Sequence, residues 1–439
     1  MLVYSTEITP RLKYIFNYLL IDLIGIHEVT FTSDLNNYLS YTHPKIAYCK
    51  DYIENGIYFE STNLLFEKDI IPLSPECFVY KNLPVFFKTT NPKSTLPFDL
   101  FAASFYLISR YEEYLPFKKD NFGRFSAKES FAYKNGFLNR PVVNEYAALL
   151  KTIILEKYPT LKTNQPKFEY INTFDIDSIY AFKGKGFLRT FGGFIKDIAS
   201  LNTKQLVKRY QVVFKNQKDP LDVFNELFKI LEKYPFKTIF FILSGKYGKY
   251  DKNISLTNQY FKKLIHTFSN NYLFGIHPSY ASNLNKKLLQ NELSNLQSIA
   301  NCSIHHSRQH YLKLQFPETY ETLLSLNIHN DYTMGFHDAN GFRASCCRPF
   351  KFFNFKTNEE TSLTIHPFCF MDATFRYYKN SSISSAFDEI KLLIDINHKH
   401  NGLCYALWHN DILSDYFPWE NWHKLFEMTN EYVFKKYKS

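Results

Sequence analysis

The stretch that decides the fold is Ile171-Asn172-Thr173-Phe174-Asp175-Ile176-Asp177. The pattern indicates the end of a buried strand that closes on two carboxylates. Side chains alternate with a period of two along an extended strand, so Asp175 and Asp177 point to the same side. Two like charges this close are usually explained by a cation between them or by a raised pKa on one of them. The alternative is a solvated loop or a helix N-terminus. The presence or absence of partner residues elsewhere in the chain distinguishes the two interpretations.

The sequence after this stretch alternates apolar strands with amphipathic helices. The predicted strands are continuous apolar runs, as in residues 238–243 and 403–407. Continuous rather than alternating apolar strands are typical of parallel sheets that helices cover on both faces. Seven or eight such units predict an α/β fold with a (β/α) barrel, complete or incomplete. An open doubly wound sheet is the second possibility.

The chain is long enough for two domains, with 439 residues. Residues 160–167 (TLKTNQPK) are polar and contain proline, which is typical of a linker. This predicts a smaller α/β N-terminal domain at residues 1–165 and the barrel at residues 166–439. Within the first domain the pattern predicts a helix over about residues 99–114 and another that starts near Pro141.

Composition and charge limit the location and the partners. The formal net charge is +10, but Lys and Arg occur singly or in pairs, which favours a solvated surface and predicts no nucleic-acid partner. The seven cysteines are odd in number and lack CxxC spacing, as is usual in a reducing compartment. The start of the chain has no secretion signal, and the apolar run at residues 14–26 is too short to cross a bilayer. We therefore expect a cytoplasmic protein without a transmembrane segment; its oligomeric state is not indicated.

Polar side chains follow several predicted strands at the point where each strand ends. In such folds the chemistry lies at the carboxyl ends of the strands. Together these residues supply the carboxylates and imidazoles of a divalent-metal site with a general base and a general acid. They are Asp175, Asp177, His277, His306, Arg308, His310, Asp331, His337, Asp338, Arg343, Asp372 and His409.

Four of these segments, within about residues 168–435, resemble the motifs of the polysaccharide deacetylase (NodB-homology) family. They are Thr173-Phe174-Asp175-Ile176-Asp177, Gly275-Ile276-His277-Pro278-Ser279-Tyr280, Gly341-Phe342-Arg343-Ala344 and Leu407-Trp408-His409. The resemblance implies an incomplete seven-stranded barrel and metal-dependent removal of acetyl groups from an acetylated amino sugar or polysaccharide. The segments SRYEEYLPF (residues 109–117) and GRF (residues 123–125) resemble an uncharacterised domain that often precedes this barrel in Bacteroidota proteins.

The resemblance also implies a role for individual residues. Asp175 would be the catalytic base, oriented by Arg343, and His409 would be the protonating acid. Asp177 and His277 would bind a divalent metal, most simply Zn²⁺.

One position departs from the family pattern. The second motif of the family has another His four residues after the first, and that position is Ala281 here. We take His310 as the candidate substitute ligand, because it lies just past the neighbouring predicted strand. His366 and His337 are lesser candidates. The alternatives are that His310 is a hydrogen-bonded rim residue and that Arg343 is a structural salt-bridge partner.

Two other functions stay open at this point. Ala281 favours a catalytically impaired barrel that binds a glycan or serves as a scaffold. A hydrolase that cleaves a non-sugar C–N bond on the same barrel is the other. The basic, aromatic insertion at residues 178–218 is interpreted as a lid or substrate rim for any of them.

Overall fold

The computed structural model describes residues 1–437 and contains two main sheets. The smaller sheet, in the N-terminal part, has four parallel strands in the order β2-β1-β3-β4, beside a two-stranded hairpin, β5–β6. These strands are β1 (Leu2–Tyr4), β2 (Thr30–Thr32), β3 (Lys45–Cys49), β4 (Ile57–Glu60), β5 (Phe78–Tyr80) and β6 (Leu83–Val85). The helices of this part are α1 (Pro10–Asn17), α2 (Leu35–Ser40), α3 (Leu100–Ile108), α4 (Phe131–Lys134) and α5 (Val142–Lys157).

The larger sheet is a curled half-barrel of nine strands in the order β12-β13-β11-β10-β9-β8-β7-β15-β14. The strands are β7 (Glu169–Ile176), β8 (Lys237–Leu243), β9 (Leu273–His277), β10 (His306–Ser307), β11 (Asn330–Asp331), β12 (Phe350–Asn354), β13 (Glu359–Ile365), β14 (Phe368–Met371) and β15 (Leu403–His409). The accompanying helices are α6 (Gly186–Ala199), α7 (Thr203–Phe214), α8 (Phe224–Lys233), α9 (Gln259–Asn271), α10 (Lys286–Ala300), α11 (Glu318–Ser325), α12 (Ile383–Lys399) and α13 (His423–Tyr437).

The larger sheet agrees with an α/β barrel that is incomplete, but the expected count of seven strands is wrong. Eight strands run parallel, and β12 adds a ninth through an antiparallel pairing with β13. Strands β12 and β13 are joined by only four residues, a length typical of a hairpin. No helix within residues 1–437 combines the length and the apolar character needed to cross a membrane.

The inner face of the curled sheet forms the floor beneath the polar strand ends. Ile171 of β7 packs there with Ile239, Phe241, Tyr405 and Leu407 in a small apolar cluster separate from the main core. The outer face packs against helices, as in the contact of Phe174 with Phe426, whose ring centroids are 5.3 Å apart. The period of two therefore carries Asp175 and Asp177 above an apolar floor, away from the helices.

The N-terminal part is joined to the larger sheet by a buried ion cluster. Glu113 accepts hydrogen bonds from Arg343 Nε (2.9 Å) and from Arg110 Nε (2.7 Å). Arg110 also donates to the Arg343 carbonyl oxygen and pairs with Glu112. Burial alone would raise the pKa of Glu113, but the two guanidinium groups hold it below its usual value. The division into two domains at residue 165 stays a prediction. The ion cluster contains buried charged residues from both sides of that boundary.

The first test removes one carboxylate from this cluster. Glu113→Ala leaves the buried Arg343 guanidinium without its counterion, which is expected to cost about 3–5 kcal/mol of stability. Glu226→Ala is the matched control, because its pair with Lys218 is exposed and such pairs contribute less than about 1 kcal/mol. Denaturant unfolding followed by fluorescence measures both. Equal, small losses in the two variants would contradict the structural role of Glu113.

Candidate metal centre and active site

The carboxyl end of β7 brings Asp175 and Asp177 to one cleft, as the sequence predicted. The cleft has a volume of about 240 Å³ and is lined by both carboxylates together with His277, His310 and His409. Asp175 is buried, whereas the Asp177 side chain is about one third exposed. The cleft therefore gathers the five imidazole and carboxylate groups that the sequence assigned to metal binding and proton transfer.

His277 and His310 reach the cleft from neighbouring segments. His277 ends β9, and the chain after β10 is tied to it by backbone hydrogen bonds from Arg308 N to the Ile276 carbonyl and from His310 N to the Pro278 carbonyl, both 3.1 Å. The close approach requires a glycine, since a Cβ on Gly275 would lie 2.4 Å from the His306 carbonyl oxygen.

Each of the two imidazoles has one nitrogen occupied by a hydrogen-bond acceptor. Nδ1 of His277 faces the Arg308 carbonyl, which can only accept, so Nδ1 carries the hydrogen. Nδ1 of His310 donates to Asp251 Oδ1 at 2.8 Å. In both rings this directs Nε2 towards the cleft. A carboxylate or carbonyl on the far nitrogen is the usual support of a metal-binding histidine.

Asp177 lies between the two Nε2 atoms. Its Oδ1 is 3.3 Å from His277 Nε2 and its Oδ2 is 3.6 Å from His310 Nε2. A tetrahedral cation with ligand bonds of ~2.0–2.2 Å has ligand–ligand distances of roughly 3.3–3.6 Å. One atom from each of the three side chains lies within 4.8 Å of the others. Asp177, His277 and His310 therefore form a possible metal site.

Asp177 also has an unsatisfied atom that a cation would explain. Its Oδ1 is buried and has no hydrogen-bond partner among the described residues. A buried acceptor without a donor costs free energy, so native structures rarely keep one. The donor set of two imidazoles and one carboxylate is that of a catalytic zinc ion with three protein ligands. Asp177, His277 and His310 thus fit the divalent metal that the family resemblance implies.

The electrostatics of the three residues are strongly linked. Burial alone would raise the pKa of Asp177, but positive charge on the adjacent imidazoles of His310 and His277 holds it well below its usual range. Burial would likewise lower the pKa of His310, and the carboxylates of Asp177 and Asp251 instead raise it to about 9. The pocket therefore stabilises a positive charge between Asp177 and Asp251.

Arg308, not Arg343, holds Asp175. Arg308 is fully buried, and its Nη1 donates to Asp175 Oδ1 at 2.9 Å while its Nε donates to the Tyr332 carbonyl at 2.9 Å. The expectation that Arg343 orients Asp175 is corrected by this contact. Arg343 is committed to Glu113 of the N-terminal part, which agrees with the alternative of a structural salt bridge.

His409 ends β15 and lies beside Asp175, its register partner on the neighbouring strand. Its Nδ1 donates to Asp372 Oδ1 at 2.7 Å, and Asp372 is fully buried. Burial alone would lower the pKa of His409, but Asp372, with smaller contributions from Asp177 and Asp175, raises it to about 10. The buried Asp372 carboxylate therefore favours the protonated form of His409.

The N-terminal part completes the rim of the cleft. Arg124, from the GRF segment, donates from Nη1 to the Tyr311 carbonyl (3.0 Å) and from Nη2 to the Tyr378 hydroxyl (3.2 Å). Asp120 holds Arg124 at 2.8 Å and lies 3.3 Å from Nε2 of His337. His337 is thus a rim residue and is not in the Asp177 group.

Other sequence candidates lie outside the cleft. His366 is bound by the Tyr405 hydroxyl (2.8 Å) and by Asn330 Oδ1 (2.9 Å), so it is not a substitute ligand. Asp331 is held by the hydroxyls of Ser307 and Thr333. Sequence reasoning missed Asp251 altogether. The sequence feature that could have indicated it is its position in the loop after β8. Among the residues that line the cleft, none comes from β8 itself.

Comparisons with known proteins find only distant similarity to this chain. A family model described as a family of unknown function (DUF7033) matches residues 1–159. No curated protein matches the chain.

Among solved structures, a protein from Mycobacterium smegmatis assigned as a polysaccharide deacetylase has 12% identity and a TM-score of 0.40, covering 61% of this chain and 84% of its own. The Puue allantoinase has 10% identity and a TM-score of 0.39, covering 62% of this chain and 89% of its own. A protein from Pseudomonas aeruginosa PAO1, likewise assigned as a polysaccharide deacetylase, has 10% identity and a TM-score of 0.38, covering 62% and 85%.

The second test measures the metal affinity of ligand variants. The wild-type chain is expected to bind one Zn²⁺, and His310→Ala or Asp177→Ala to weaken binding more than about 100-fold, because a direct ligand is lost. Asp251→Asn removes only the support of His310 and is expected to cost about 10–100-fold. Competition titration with a chromogenic chelator gives the dissociation constants.

His366→Ala is the matched control, since it removes a partly buried histidine of the same barrel outside the cleft. Unchanged affinity is expected there. Full zinc affinity in His310→Ala would contradict the assignment of His310 as the substitute ligand.

Proposed function

We propose that the chain is a metal-dependent hydrolase that removes acetyl groups from an acetylated sugar or polysaccharide. The observation that carries the proposal is the meeting of Asp177, His277 and His310 with Asp175 and His409 in one cleft. Asp177, His277 and His310 suit a metal ion that keeps one coordination position open. Asp175 suits the acceptance of a proton, and His409 suits the donation of one. A barrel that had lost its chemistry would not need to keep this set, although Ala281 replaces the expected histidine.

Asp177, His277 and His310 would hold the metal, which we take to be Zn²⁺. When bound, such an ion lowers the pKa of a water molecule and polarises a carbonyl group. Asp175 accepts the proton of the attacking water, and Arg308 fixes its Oδ1 so that the carboxylate keeps one orientation. His409 donates a proton to the leaving amine or alcohol. Asp372 anchors Nδ1 of His409, which leaves Nε2 as the proton donor.

The walls of the cleft support a sugar substrate. Tyr311, Tyr377 and Tyr378 line it together with Leu312 and Met371. Tyrosine presents an apolar ring face and a polar hydroxyl, which together match the apolar face and the hydroxyl groups of a pyranose. The proposed partners are thus an acetylated carbohydrate and a divalent metal, and no nucleic acid.

We further propose a cytoplasmic location, on the evidence of the cysteines. All seven are free thiols in the structure, and five of them are buried. Alkylation of the denatured protein, isolated without reductant and analysed by mass spectrometry, should add seven adducts per chain. A smaller number would indicate disulfides and an oxidising compartment.

The third test is acetate release from acetylated amino-sugar oligomers by the zinc-loaded chain. Asp175→Asn is expected to lower kcat about 10²–10⁴-fold, because it removes the general base while keeping the shape of the side chain. Its zinc content should stay at the wild-type level, which separates proton transfer from metal binding. His366→Ala serves again as the active control.

Two results would overturn this function. One is a zinc-loaded wild-type chain that releases no acetate from N-acetyl or O-acetyl sugars. The other is an Asp175→Asn variant with full activity. Hydrolysis of a non-sugar amide alone would keep the catalytic residues but replace the substrate.

The fourth test uses the dependence of the rate on pH. Asp372→Asn removes the charge that raises the pKa of His409, so that pKa falls. Since the protonated imidazole is the active form, the rate should decline at a lower pH on the alkaline side than in the wild type. Asp395→Asn is the control, because Asp395 binds Tyr432 on α12–α13 away from the cleft. An unchanged alkaline limb in Asp372→Asn would exclude His409 as the acid.

A further inference from the structure

Helices α6 and α7 form a hairpin, residues 183–218, that exposes large apolar side chains. We call this segment the basic hairpin. Phe187 and Leu188 are 82% and 84% exposed, and Leu201 in the turn is 85% exposed. Exposed apolar groups of this size are costly in water, and a contiguous set of them marks an interaction surface.

The exposed apolar residues of the basic hairpin lie on one face of each helix. On α6 they recur with helical spacing, which places them within about a third of the helix circumference. On α7 they follow at intervals of three and four residues. The residues are Phe187, Leu188, Phe191, Ile195 and Ile198 on α6, and Val207, Tyr210 and Phe214 on α7. A groove of about 490 Å³ separates the two helices and is lined largely by phenylalanine and valine side chains.

The basic hairpin also carries most of the net charge of the chain. Residues 183–218 contain nine Lys and Arg and one Asp, a net charge of +8, against +10 for all 439 residues. Although Lys and Arg occur singly or in pairs along the sequence, their net charge is thus concentrated in this segment. Lys204, Lys208 and Lys215 lie along α7 at intervals that place them on the side adjoining its apolar stripe.

The hairpin is an ordered element with an internal ion pair. Arg209 pairs with Asp197, its single acidic residue, at 2.7 Å across the two helices. Asp219 accepts hydrogen bonds from the backbone N–H groups of Ala181, Phe182 and Lys183, which fixes the entry to the hairpin. The apolar face is thus held in place while its outer surface stays free among the described residues.

The hairpin lies at the same end of the sheet as the cleft. It follows Asp177 directly in the chain, and Ser178 accepts a hydrogen bond from Asn410, the neighbour of His409, at 3.0 Å. Next to the exposed Phe417, the ring of Tyr416 lies 6.0 Å from that of Phe182, at the entry to the hairpin. Whatever the hairpin binds is therefore close to the candidate active site.

We propose that the basic hairpin docks on the surface of a bilayer that contains anionic lipids. The apolar faces of α6 and α7 enter the boundary between headgroups and acyl chains, and the flanking lysines contact the lipid phosphates. Helices with one apolar face and a lysine-rich polar side bind membranes in this way, and each lysine near an anionic leaflet adds to the affinity.

The charge distinguishes this partner from two others. A second copy of the chain would bring two surfaces of net charge +8 together, which opposes association. A nucleic acid would satisfy the lysines but would leave the Phe187 and Leu188 side chains in water, because its outer surface is a phosphate backbone. An anionic bilayer satisfies both the charge and the apolar face.

The test is flotation of the full chain with vesicles of phosphatidylcholine alone or with phosphatidylglycerol added. Binding is expected only with the anionic vesicles. Leu188→Glu should lower the partition coefficient about tenfold or more, because an inserted leucine is lost. Lys204→Gln and Lys215→Gln should each lower it about fivefold. These measurements need no substrate, so they stand or fall independently of the proposed hydrolase activity.

Matched controls come from other surfaces of the chain. Leu392→Glu replaces an exposed leucine of α12, and Lys435→Gln replaces an exposed lysine of α13; both should bind as the wild type does. In Phe191→Trp the new tryptophan should be quenched by brominated acyl chains, since the three native tryptophans are buried.

Three outcomes would overturn the proposal. The first is equal binding by Leu188→Glu and the wild type. The second is no binding of the wild type to anionic vesicles. The third is a dimer in solution that Leu188→Glu dissociates, with no vesicle binding, which would assign the face to a second copy of the chain.

Discussion

The structure of the cleft depends on how two adjacent carboxylates are neutralised. The end of β7 places Asp175 and Asp177 side by side above an apolar floor, where like charges repel strongly. Arg308 neutralises Asp175 through a direct hydrogen bond at 2.9 Å. Asp177 receives no such cation from the protein other than a protonated histidine, and its buried Oδ1 stays without a donor in the described part of the chain. A metal ion between Asp177, His277 and His310 would satisfy this constraint.

The same constraint explains how His310, from another segment, would serve as a third ligand although position 281 is alanine. Ligands of a metal need only converge in space, and the ends of neighbouring parallel strands provide that convergence. The segment after β10 is bound to the end of β9 by two backbone hydrogen bonds, which bring His310 near His277. Asp251 orients the His310 ring, so the support of the candidate metal site also comes from a third loop.

The sequence indicated the α/β class, the strand ends and most of the cleft, because these follow from apolar periodicity and from polar residues at fixed places. It could not indicate which arginine meets Asp175. Both Arg308 and Arg343 lie between predicted strands, and only the ion pair of Arg343 with Glu113 shows that Arg343 already has another partner. Asp251 and the antiparallel pairing of β12 with β13 were missed for a related reason, since long loops and antiparallel edges depend on tertiary packing. The charge of the basic hairpin was present in the sequence, but its importance appears only when the apolar side chains beside it are seen to be exposed.

The central claim is that Asp177, His277 and His310 bind one metal ion. X-ray absorption at the zinc edge of the zinc-loaded chain tests it most directly. We predict a first shell of nitrogen and oxygen atoms at about 2.0–2.2 Å, with the outer-shell scattering of two imidazole rings, falling to one ring in His310→Ala. A sulfur shell near ~2.3 Å, or two imidazole rings that persist in His310→Ala, would contradict it.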